Sequence, residues 1–287
     1  MFIAGKYGKA PQLPQCPGFE GCGIVEESGG GLKGRLFTGK RVCVLNKAGG
    51  NWSEHAIVPA SDLIPVGRAL SDQQAATFFV NPGSAYVMTR RVLNIPAGDW
   101  LLQTAAGSVL GKMVARLGTE FRFRTINVVR NDRHVDALKA AGAHEVIVWD
   151  GDKDTPQQLQ SQVAAITGQS GLRHAIDPVG GSTGSAVIGC LTHGARMLCY
   201  GTLSWEPLQF SPRTLMVQAA KIEGFWLGNY MQSIRLPSKL RLIRRLNSLI
   251  ARGVLHTEIV GEFSLDQISD AIECARSTDG KTLLRIG

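Results

Sequence analysis

The chain is predicted to be an α/β protein, with a doubly wound parallel sheet beside a smaller β domain. Three observations predict it. From Ala85 onward, strand-like apolar runs alternate with helical patterns, the order that a parallel sheet requires. Before that point the chain is rich in Gly and Pro and carries short β-like runs, GCGIVEES, KRVCVLN and SEHAIVPA. The composition suits both parts, since 287 residues can form one large or two ordinary domains and 34 glycines serve many tight turns.

The most informative segment is Trp100 to Arg133, which reads as apolar strand, small-residue turn, amphipathic helix and second strand. A helix around Asp132–Ala141, closed by Gly142, and a strand at Glu145–Trp149 follow. RHAIDPVGG is again a strand running into a glycine turn, with a helix across Thr183–Leu191. ARMLCYG and KIEGFWLG supply two more strands. Beyond Gly228, Ser238–Arg252 forms an amphipathic helix with Ile243, Leu246 and Ile250 on one stripe. Lys239, Arg241, Arg244 and Arg245 lie largely elsewhere, as a solvated basic face. KTLLRIG is a last strand that returns to the first domain.

A strand–turn–helix unit aims backbone N–H groups and a helix N-terminus at a pyrophosphate. Of the glycines in G-x-G-x-x-G, expected at 106, 108 and 111, only Gly111 is present; Ala106 and Ser108 take the other places, with Gly107 between them. Such a turn is by itself common in plain βαβ structure. The residue at the end of the second strand turns the reading toward a cofactor. An acidic side chain there holds the ribose 2′-hydroxyl of NAD, whereas Arg130 offers a guanidinium fork to a 2′-phosphate. The segment is therefore read as a site for NADPH.

Charge and cysteine usage bound the remaining classes. The formal net charge of +8 is spread along the chain apart from a cluster between Arg235 and Arg252, so no nucleic-acid partner is expected. The six cysteines stand singly without a C-x-x-C, which suits a reducing compartment. No apolar run approaches about 18 residues, and the first residues lack a secretory pattern. A cytoplasmic protein with no membrane partner is expected.

Several pieces together, YGKAPQLPQCPGFEG, AATFFVNPGSAYVM, FRTINVVRNDR, DPVGG, MLCYGTL and EGFWL, resemble the medium-chain dehydrogenase/reductase superfamily. The likeness covers nearly the whole chain. It is greatest to the NADPH-dependent 2-enoyl thioester reductases, and next to the zeta-crystallin-like quinone reductases. It implies a Rossmann domain at 85–227 and a GroES-like catalytic domain at 1–84 and 228–287. The latter is expected to be N-terminally shortened relative to the family, since only six residues precede Tyr7 where the family has some tens. It also implies a homodimer. Zinc is not expected: the zinc alcohol dehydrogenases carry G-H-E with His as ligand, and here the residues are Gly18, Phe19 and Glu20. Without zinc, Glu20 and His55 are read as structural. Hydride transfer without a Lewis acid needs an acceptor already activated, an enoyl thioester or a quinone.

The resemblance carries over the following roles. Tyr7 matches a tyrosine that donates a proton or hydrogen bond at the α side of the enoyl group. Asn81 is either a cofactor contact or a turn residue ahead of Pro82. Gly107, Ser108, Val109, Leu110 and Gly111 overlie the phosphate turn, with Val109 replacing a usual glycine in a way that weakens or re-aims the contact. Arg130, Asn131 and Arg133 grip the adenosine phosphate, while Asp132 opposes it unless turned outward or used as a cap. Tyr200, Gly201, Thr202 and Leu203, with Phe225, Trp226 and Leu227, flank the nicotinamide, although a Phe-Trp pair in a strand also suits a core. Lys281 reaches the cofactor or lies on the surface. The expected activity is a zinc-independent NADPH-dependent reduction of an activated C=C bond, most naturally in a 2-enoyl thioester. NADPH:quinone reduction is the alternative, and a cofactor-binding protein impaired in catalysis is a reading of another class.

Overall fold

The structure, a computed structural model, describes residues 14–46 and 50–286. Tyr7 lies outside the described residues. Two compact units are formed, one by residues up to Pro82 together with those from Leu240 onward, the other by Gly83–Lys239. Residues 228–239, expected with the β domain, are counted in the second unit.

In the first unit, β1 (Glu20–Ile24), β2 (Arg41–Leu45) and β3 (Leu63–Pro65) form an antiparallel sheet in the order β1-β2-β3. The segment SEHAIVPA, expected as a strand, has no ladder in the described structure. His55, Ala56 and Ile57 are exposed, so its apolar residues have no buried face to line. The helix Leu236–Ala251 buries Leu242, Leu246, Leu249 and Ile250. Ile243, expected on that stripe, is only half-buried and Leu242 takes its place.

The second unit is one six-stranded parallel sheet. Its strands are β4 (Trp100–Gln103), β5 (Arg124–Val129), β6 (Glu145–Val148), β7 (Leu172–Asp177), β8 (Leu191–Cys199) and β9 (Lys221–Gly224). They lie in the order β6-β5-β4-β7-β8-β9, the 3-2-1-4-5-6 arrangement of a dinucleotide-binding fold, with its reversal between β4 and β7. β4 is buried throughout and β5 from Thr125 to Val129, as strands covered on both faces must be. On one face Trp100, Leu102, Ile126, Val128 and Ile147 pack with Leu159, Val163, Val187 and Ile188 from helices Pro156–Thr167 and Gly181–Cys190. Ala106, Val129 and Leu138 form a smaller cluster.

Helix ends in this unit are set locally. Thr155 and Gln158 form a capping box with Pro156 in the first turn. Helix Val109–Phe121 stops at Arg122, whose φ of 62° is left-handed. The strand expected through Phe225 and Trp226 ends at Gly224 instead. Trp226 is half-exposed, so that pair is not sheet core. The last two strands, β10 (Ile259–Phe263) and β11 (Lys281–Leu284), pair in parallel within the first unit. No helix among the described residues is long and apolar enough to cross a membrane.

Candidate dinucleotide site

The carboxyl ends of the parallel strands bring most of the predicted site residues to one edge of the second unit, which is where open α/β sheets bind ligands. After β4 the chain turns through Thr104–Ser108 into helix Val109–Phe121. Ser108 caps that helix: its hydroxyl accepts from the Gly111 N–H at 3.1 Å. The Val109 and Leu110 amides, in the first turn, have no acceptor within the helix. Val109 is about nine-tenths buried, so its side chain packs inward and its amide stays in the turn.

Gly111 permits a close approach: a Cβ there would lie 2.2 Å from the Ala106 carbonyl oxygen. Ala105 within the turn has φ of 48°, strained for a residue with a Cβ. The tight backbone, the capped helix and the first-turn amides form a cradle that fits a pyrophosphate. Gly111→Ala is expected to cost about 1–3 kcal/mol, because backbone and not a flexible side chain must yield. A lowered thermal midpoint would report it, and an unchanged one would mean that the turn has slack.

Arg130 is the first residue after β5 and is exposed, as are Asn131 and Arg133 in the turn that follows. No side chain caps the short helical turn Asp132–His134, so Asp132 does not serve as the cap considered for it. The carboxylate of Asp150, just past β6, lies in the field of Arg130 and is 3.4 Å from the Lys153 ammonium. The Asp152 N–H donated to it, then Lys153 and Arg130, hold its carboxyl below the usual range. Sequence reasoning missed this anion beside the arginine. It also missed His134, whose ring packs over Gly107 so closely that a Cβ there would sit 2.5 Å from Cγ. The Arg133 Nε donates to His134 Nε2 at 3.1 Å. No signal in the sequence pairs His134 with that turn.

Two buried polar groups fix the strand ends beneath this edge. The Gln103 side-chain amide donates to the Gly111 carbonyl at 2.8 Å and to Asn127 Oδ1 at 2.6 Å. Asn127 in turn donates to the Glu145 carbonyl at 2.8 Å, tying β4, β5 and β6 together below the turn. At the end of β7, Asp177 accepts from the Thr104 hydroxyl and from the N–H groups of Val179 at 3.1 Å and Gly180 at 2.8 Å. Burial pushes its carboxyl above the usual value, against the pull of those three donors. DPVGG shows the turn but not that its aspartate is the buried acceptor.

Asp177 has a testable consequence. Asp177→Asn sets an NH2 against one of these donors and is expected to cost about 1–3 kcal/mol. A folded pKa above the unfolded one means that wild-type stability falls as pH rises from the unfolded carboxyl range through the folded value. The variant lacks that slope, so the stability gap should narrow with rising pH in denaturant titrations. A gap that widens would contradict the assignment.

The segment Tyr200–Leu203 runs beside DPVGG, with the Tyr200 N–H on the Asp177 carbonyl at 3.0 Å and the Leu203 N–H on the Pro178 carbonyl at 2.9 Å. Gly201, Thr202 and Leu203 are exposed there. The Phe225 N–H donates to the Cys199 carbonyl at 2.8 Å, and Leu227 opens a helix after the half-exposed Trp226. Asn81 and Lys281 belong to the first unit by contact. Asn81 is in the first turn of helix Val80–Val87, not in a loop before Pro82. That helix is held at its start by Glu20, whose Oε1 accepts from the N–H groups of Phe79 and of Val80, the latter at 2.9 Å. Burial raises the Glu20 carboxyl, and those amides and the Lys281 ammonium oppose the rise. His55 Nδ1 lies 3.3 Å from Glu26 on the surface.

Comparison with known proteins agrees with this architecture. A family model described as zinc-binding dehydrogenase matches residues 109–244. That span begins well after Phe19, and among the described residues no group of three or more His, Cys, Asp or Glu could hold a metal ion. The mitochondrial enoyl-[acyl-carrier-protein] reductase of Homo sapiens is 30% identical over 286 residues, covering 95% of this chain and 73% of the relative. That of Caenorhabditis elegans is 29% identical over 280 residues, covering 96% and 78%. The structure of Escherichia coli quinone oxidoreductase complexed with NADPH superposes with a TM-score of 0.84 at 25% identity, covering 96% of this chain and 83% of that one. The chain thus belongs to the zinc-free branch of the medium-chain dehydrogenase/reductase superfamily, and it is an oxidoreductase.

Proposed function

We propose that this protein is an NADPH-dependent reductase that delivers hydride to the activated C=C bond of a 2-enoyl thioester. The observation that carries the cofactor half is Arg130, an exposed guanidinium at the carboxyl end of β5, where an acidic side chain would select NAD. The substrate half is supported by the names of the human and nematode relatives. NADPH, when bound, supplies the hydride.

The chain's own residues bind and orient. The amides of Val109 and Leu110 would meet the pyrophosphate, and Arg130, with Asn131 and Arg133 beside it, the 2′-phosphate. Tyr200–Leu203 and Phe225–Leu227 would hold the nicotinamide end, with the half-exposed Trp226 limiting water. Tyr7, by the family resemblance, would give a proton or hydrogen bond to the α side as negative charge develops there. Asn81 and Lys281 are not needed for this reading.

Quinone reduction is the second reading, favoured by the Escherichia coli likeness. The test is steady NADPH oxidation with a crotonyl thioester and with a benzoquinone. Turnover of the thioester at a kcat/KM well above that of the quinone supports the proposal. Turnover of the quinone alone replaces it with the second reading.

A further inference from the structure

We propose that Cys22 and Cys43 form a reversible redox site, closing to a disulfide across β1 and β2 when the protein meets a low-molecular-weight disulfide. The two residues face each other directly in the antiparallel register, Cys22 opposite Cys43. The type of pair follows from the ladder around it. The Asn46 N–H donates to the Phe19 carbonyl at 3.0 Å, and the Val25 N–H donates to the Lys40 carbonyl at 3.1 Å. Hydrogen-bonded and non-hydrogen-bonded pairs alternate along an antiparallel ladder. Residues 19 and 25 each lie three positions from Cys22, so Cys22 and Cys43 occupy a non-hydrogen-bonded pair. Side chains in such pairs share one face and approach most closely, with Cα atoms about 4.5 Å apart. That separation lies inside the range of about 4.4–6.8 Å that a disulfide spans. Both thiols are free in the structure.

The surroundings divide the labour. Cys22 is half-buried; burial raises its thiol, and the Arg41 guanidinium against its sulfur, itself held to Asp72 at 2.7 Å, opposes that rise, so Cys22 is the more accessible and the less raised of the two thiols. Cys43 is fully buried, and its thiol is pushed well up by burial, by the Glu20 carboxylate and by Cys22 itself. Cys22 is thus the attacking sulfur and Cys43 the resolving one. The Cys22 thiolate attacks the external disulfide, forming a mixed disulfide and releasing one external thiolate. The Cys43 sulfur then displaces the second external thiol, to which its proton passes. In sum the two protein thiols are oxidised to one disulfide, and the external disulfide is reduced to two thiols. The bond closes the segment that contains helix Gly31–Phe37, in which no residue is buried, so the cross-link restrains a weakly anchored part of the chain.

The experiment treats the full-length protein with oxidised glutathione and maps the product by mass spectrometry without reduction. Expected is the loss of two hydrogens, a linked pair of peptides carrying Cys22 and Cys43, and a raised thermal midpoint that dithiothreitol reverses. In Cys22→Ser both the link and the rise should vanish, while Cys274→Ser, far along the chain, should keep them. Unmodified thiols, a glutathione adduct that stays on Cys22, or a link from Cys22 to any other cysteine would each overturn the proposal.

Discussion

Arg130→Ala should erode the preference for NADPH over NADH by about 1–3 kcal/mol, the contribution of a lost charge-assisted contact. In kcat/KM this is a fall of about five- to 150-fold in the cofactor ratio. The reasoning starts from position: the first residue past the second strand of the nucleotide fold faces the adenosine ribose, and here it is a cation on an exposed backbone end. Activity with NADH should change little, because NADH has no phosphate at that place. Added salt should narrow the wild-type preference in the same direction, as it screens an exposed contact. Equal use of both cofactors by the wild type would refute the role given to this arginine.

The fold was legible because its signals are local. Apolar strands buried on both faces, small-residue turns and amphipathic helices announce a parallel sheet one unit at a time, and the segment from Trp100 to Arg133 carries the decisive one. SEHAIVPA misled because apolar alternation states a propensity and not the presence of a neighbouring ladder. Phe225 and Trp226 misled because the strand before them ends at Gly224, a register fact that no propensity contains. The turn after β4 and the strand ends around it were legible as a set of backbone positions. What packs beneath and over it was not. His134 against Gly107, Gln103 on the Gly111 carbonyl and Asp177 under two amides are all tertiary contacts. The cysteines make the same point: spacing in sequence made Cys22 and Cys43 look single, and only the pairing of β1 with β2 sets them opposite each other.

Tyr7→Phe should separate the two candidate reactions by the largest factor of any single change. Reduction of an enoyl thioester adds hydride at the β-carbon and leaves an enolate, whose α-carbon must gain a proton before product leaves. A phenol positioned at that side contributes about 10²–10⁴-fold by general acid catalysis, and phenylalanine keeps the ring while removing the donor. The expected result is a loss of that order in kcat with a crotonyl thioester, with KM for NADPH unchanged. A quinone makes no such demand, because hydride gives an aromatic hydroquinone whose oxygens take protons from water. Benzoquinone turnover by the same variant should therefore stay near the wild-type rate, and an unaltered thermal midpoint would show that the fold has not been disturbed. Equal retention of both activities would remove Tyr7 from the chemistry and favour the quinone reading. Equal loss of both would mean that the tyrosine shapes the protein and not the proton transfer.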